Sequence, residues 1–83
     1  MSKSQDFKIK AVALTIRKRR EFRNYTQEYL ALKLNISQNA YSKIELGYTK
    51  ITLERLFQIA DILEFEVIDL IQPDRAELIC ASR

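Results

Sequence analysis

One glycine, Gly47, and one proline, Pro73, serve the whole 83-residue chain, and no feature narrows its folding options more. Strands are joined by turns that draw on Gly and Pro for their unusual backbone angles. A chain this poor in both argues against collagen-like, linker or all-β architectures. Its length suffices for a single core, and 47% hydrophobic against 30% charged residues suits a globule.

Absences exclude several functions. The chain has no histidine, which removes His-based metal sites and His-based catalytic triads. Cys80 is the single cysteine, so neither an intrachain disulfide nor a cysteine-rich zinc site can form. Asp61, Glu64, Glu66 and Asp69 lack a companion phosphate loop or activated nucleophile and read as solvated helix surface. No enzyme activity, metal or cofactor is therefore expected. No apolar run approaches the ~18 residues of a membrane span, and the first residues lack the apolar stretch of a secretory leader. The expected location is the cytoplasm, away from any membrane.

The net charge of +3 conceals a gradient. Residues 1–50 hold eleven Lys/Arg against four Asp/Glu, a balance of +7, whereas residues 51–83 hold three against seven, a balance of −4. Such segregation suits one surface that meets a polyanion and another that does not. Within the basic half, Arg17, Lys18, Arg19 and Arg20 are consecutive. At about 100° per residue they point all round a helix, so at least one must approach the core. A charge there is costly unless paired, and an acidic partner from elsewhere in the chain is required.

Residues 1–8 are polar and expected to be flexible, a helix-turn-helix unit is expected over 9–72, and 73–83 form a short tail. Ile9, Val12 and Ile16 recur at helical spacing and place helix 1 from Ile9 to about Arg23. Thr26 is a candidate N-cap for a helix over Gln27–Leu34, with Glu28 complementing the positive end of its dipole. Asn35 tolerates the left-handed conformation that closes a helix. Ser37 then caps a third helix, Gln38–Leu46, which Gly47 ends. Thr52 caps a fourth, whose Leu53, Leu56, Phe57, Ala60 and Leu63 form an apolar stripe. A fifth, near Val67–Ile71, stops before Pro73.

Two short capped helices joined by three residues form a helix-turn-helix. Ala31 is small enough to let the helices cross, and Tyr41 with Ile44 pin the second by one side. Gln38, Asn39, Ser42, Lys43 and Leu46 are left facing outward. Gln and Asn carry the donor and acceptor pair that the adenine N6/N7 edge demands, and Lys suits guanine O6/N7. Any solvated helix also carries such residues; the preceding helix, the turn and the charge gradient favour base reading.

The stretch YTQEYLALKLNISQNAYSKIELG, residues 25–47, resembles the XRE/Cro/C1-type helix-turn-helix family of phage repressors, restriction-modification controllers and small bacterial regulators. The resemblance runs from about Val12 to Ile71. It implies an all-α, compact five-helix, lambda-repressor-like fold that binds double-stranded DNA with its third helix in the major groove. By resemblance, Gln38, Asn39, Ser42 and Lys43 are base contacts. Thr26, Gln27, Tyr48, Thr49 and Lys50 are phosphate contacts, with Gln27 also buttressing the recognition helix. Arg20 and Glu45 match a structural ion pair between helices 1 and 3, which supplies the partner demanded above. Asn35 stands where the family mostly has Gly.

One recognition helix reads too few base pairs for physiological specificity. Residues 59–71 hold more apolar side chains than one small core can use, and Phe65, Val67, Ile68 and Ile71 are expected to form a homodimer interface. The expected function is regulation of transcription by a repressor-type dimer on a near-palindromic operator. The competing expectation is an antitoxin-like module that sequesters a protein partner through its C-terminal surface.

Overall fold

A computed structural model of the chain describes residues 3–71, and the side chains of residues 8–69. Five helices follow one another: α1 Lys3–Phe22, α2 Gln27–Leu34, α3 Gln38–Glu45, α4 Leu53–Leu63 and α5 Val67–Ile71. No strand occurs among the described residues. The expected tail, 73–83 with Cys80, lies outside them.

The expected start of helix 1 at Ile9 needs correcting, because α1 begins at Lys3. Apolar spacing marks where a helix is buried, not where it starts. No Gly or Pro interrupts residues 3–9, so the helix extends beyond its buried stripe.

Thr26, Ser37 and Thr52 start three helices in the same way. Each side-chain oxygen accepts from the backbone N–H three residues on, at 3.0, 3.0 and 3.1 Å, satisfying a donor that the first turn leaves free. The closures also repeat. Asn24, Asn35, Gly47 and Glu64 all take left-handed φ, between 58° and 77°. After each, the next N–H bonds back to a carbonyl five residues earlier: Tyr25 to Arg20, Ile36 to Ala31, Tyr48 to Lys43 and Phe65 to Ala60. This pattern satisfies the orphan carbonyls of the last turn. Only at Gly47 is glycine used, and there a second constraint applies: an added Cβ would stand 3.1 Å from Lys10 Cγ of α1.

The core combines Ile16 of α1, Leu30, Ala31 and Leu34 of α2, Tyr41 and Ile44 of α3, and Leu56, Ile59, Ala60 and Leu63 of α4. Each fully buried Leu or Ile contributes about 1.5–3 kcal/mol. α2 packs on α3 and α4, while α1 lies against α3, α4 and α5. Ala31 is buried where α2 meets this core, as its small size suggested.

Part of the apolar surplus at the C-terminal end, expected as an interface through Phe65, Val67, Ile68 and Ile71, also meets the protein's own core. Phe65 and Val67 pack against the core. The guanidinium of Arg19 stacks 4.2 Å from the Phe65 ring centroid, and the Phe22 ring meets it edge-on at 6.4 Å. The closure at Glu64 turns the chain back over α1, and α1 presents cations and a ring to cover Phe65. Ile68 is exposed, and the side chain of Ile71 lies outside the described residues. No described helix is long and apolar enough to cross a membrane.

Candidate nucleic-acid interface

The orientation of α3 is decided by one carboxylate. Glu45, its side chain only 2% exposed, accepts from Arg20 Nε at 2.6 Å and Arg20 Nη2 at 3.0 Å. Gln27 Nε2 donates to the same group at 3.1 Å, and so does the Tyr41 hydroxyl. Arg20 Nη1 donates to the Tyr25 carbonyl at 2.8 Å, just past the end of α1. Of the four consecutive cations, Arg20 is therefore the one that turns inward, and three helices converge on its partner. No buried side-chain N or O lacks a hydrogen bond among the described residues.

The electrostatics follow from this geometry. Burial favours protonation of Glu45, but hydrogen bonds from Arg20, Tyr41 and Gln27 outweigh it and hold the carboxyl below its usual range. The hydrogen bond to Glu45 raises the Arg20 guanidinium above its already high value, against the opposing effect of burial. Burial, reinforced by the bond to Glu45, pushes the Tyr41 phenol well above its ordinary value. At neutral pH the cluster is therefore an ion pair with a neutral phenol as third donor.

With Tyr41, Ile44 and Glu45 buried, helical geometry sets the rest of α3. Asn39, Lys43 and Leu46 share the edge opposite the core, and Gln38 with Ser42 flank it. Gln38, Asn39, Lys43 and Leu46 are exposed, and Ser42 is half-buried. The first turn of α3 carries no acidic residue, so nothing on it repels a phosphate. Thr26, Tyr48, Thr49 and Lys50 are exposed around this helix and Gln27 is half-buried. Gln27 spends one amide hydrogen on Glu45, which leaves the second to donate elsewhere.

Two contributors escape sequence reasoning. Tyr41 reads as an apolar pin, yet its hydroxyl is part of the clamp; the four-residue spacing from Glu45 was the available signal. Arg55 of α4 donates from Nη1 to the Leu34 carbonyl at 3.3 Å and to Gln58 Oε1 at 3.2 Å. It thereby ties α4 to the end of α2, and no local pattern announces this. Among the described residues, no group of His, Cys, Asp and Glu is arranged to hold a metal ion.

A family model described as helix-turn-helix matches residues 16–70. Neither the curated proteins nor the solved structures contain a match to the chain. The matched span starts at buried Ile16 and includes all of α2, α3 and α4, hence nearly the whole core and every group that clamps α3. Two N-capped helices joined by a left-handed turn, the second held by one face, agree with that match: the chain belongs to the helix-turn-helix family of DNA-binding regulators, of the XRE/Cro/C1 type.

Proposed function

We propose that this chain regulates transcription by sequence-specific occupancy of double-stranded DNA, as a repressor-type homodimer on a near-palindromic operator. The observation that carries this reading is the division of α3. One face is locked through Glu45, and the other offers exposed Gln38, Asn39 and Lys43, with half-buried Ser42 at its edge. Those four side chains read base edges in the major groove. Thr26, Gln27, Tyr48, Thr49 and Lys50 hold the flanking phosphates, which fixes the register of α3 on the duplex. Bound beside a promoter, the protein excludes polymerase.

Pairing two such helices about a two-fold axis would place them roughly 34 Å apart, one turn of the duplex. Ile68, 41% exposed, is the member of the expected interface set that stands free to meet a second copy. Sedimentation is expected to show a dimer, free or on DNA; a monomer in both states at tens of micromolar refutes the dimer. Selection from a random duplex pool at fixed, near-cellular salt tests the reading as a whole. A shared, inverted-repeat motif supports it, and recovery of unrelated sequences overturns it.

A further inference from the structure

A groove of about 480 Å³ runs beside α3, between that helix and the segment leading into α4. Asn39 and Lys43 line it from α3, Thr49 and Lys50 from the loop, and Thr52 and Arg55 from the start of α4. Three cations therefore border one groove and no acidic side chain does. None of the three takes part in an ion pair among the described residues. Three uncompensated cations gathered about one concave surface constitute a local positive field, and its natural complement is a chain of regularly spaced anions.

Arg55 differs from the two lysines in how it is held. Its Nη1 is engaged by the Leu34 carbonyl and Gln58 Oε1, whereas Nε and Nη2 have no partner among the described residues. The side chain is half-buried while Lys43 and Lys50 are exposed. A guanidinium tethered at one nitrogen has already lost much of its rotational freedom, so a further contact costs less ordering. The tether leads to Leu34, the last residue of α2, immediately before the turn that sets the angle of α3.

We propose that this groove receives one strand of the DNA backbone, and that Arg55 is a phosphate contact which also holds the end of α2 in position. The inference rests on the DNA-reading function proposed above and adds to it a residue outside the recognition helix and its flanking turns. Charge from α4 thus joins charge from the loop on a single strand, beside the base-reading Lys43.

The test is the salt dependence of binding to the selected duplex, measured for wild type, Arg55→Gln, Arg55→Met and Arg55→Lys below the melting midpoint of each. Both neutral variants should flatten the slope of log K against log salt by about 0.9 unit, the value for one phosphate contact. Arg55→Lys should restore it, and all variants should keep the wild-type sequence preference. A slope unchanged in both neutral variants, with affinity lowered equally at every salt concentration, overturns the proposal and reduces Arg55 to a structural tie. Failure of the wild-type protein to prefer any duplex instead overturns the function on which the proposal rests, so the two failures are separable.

Discussion

Arg20 in the last turn of α1 and Arg23 just past its end each reach a glutamate on another part of the fold, yet the two links differ in what surrounds them. Arg20 meets Glu45 with both residues buried. Arg23 donates to the Leu63 carbonyl at 2.9 Å and lies 3.4 Å from Glu64, whose side chain is 63% exposed. The first link fixes the helix that faces outward at the interface; the second ties down the end of α4. Water competes for the second and not for the first. An exposed pair contributes about 0–1 kcal/mol, while removing one partner of a buried pair costs about 3–5 kcal/mol.

Glu45→Ala is the substitution with the largest expected effect. It strands Arg20 and removes the acceptor for Tyr41 and Gln27, so chemical denaturation should show a loss of about 3–5 kcal/mol. In a domain whose total stability is about 5–15 kcal/mol, that is a large part. Acid sharpens the contrast with the Arg23 link. The Glu45 carboxyl lies below its unfolded value, so the unfolded chain takes up that proton first. The stabilisation is complete above about pH 5 and is lost as pH falls through the folded-state value. Denaturation across a pH series should show the wild-type advantage over Glu45→Gln constant near neutrality and shrinking below about pH 4. A constant advantage at all pH values contradicts the assigned ion pair.

Gln38→Ala tests the other face of the clamped helix. With the fold untouched, affinity for the selected duplex should fall by about 1–3 kcal/mol and sequence preference should relax at the contacted position. Equal losses on all duplexes break the separation between held and reading faces. Glu64→Gly has the smallest expected effect and the opposite sign. A non-glycine residue at φ 60° is strained, and its partner Arg23 retains the Leu63 carbonyl. Thermal unfolding should therefore show stabilisation of up to about 1 kcal/mol.

The same contrast explains what could be read in advance. Thr26, Ser37 and Thr52 are legible because a cap is a local event: one hydroxyl, one amide, three residues apart. The need of the 17–20 run for a buried acid is legible because helical geometry allows no outward solution for four consecutive cations. Arg23 is not legible, since its partners are carbonyls and a carboxylate brought near by the closure of α4. The surroundings of Phe65 are hidden for a related reason. Counting apolar residues cannot show that Arg19 will stack on its ring. The early start of α1 at Lys3 is likewise hidden, because helix propensity without burial leaves no periodic mark. The exposure of Gln38, Asn39 and Lys43 followed from the three-residue spacing of Tyr41 and Ile44, whereas Ser42 is half-buried; the tie from Arg55 to Leu34 required the fold.

The four donor bonds converging on Glu45 also have a practical meaning. A helix gripped so firmly at its inner side has little room to rock or slide, so its outer side chains act as replaceable type in a fixed press. Under the proposed function, retargeting such a protein calls for new letters at 38, 39, 42 and 43, with the frame that holds them left alone.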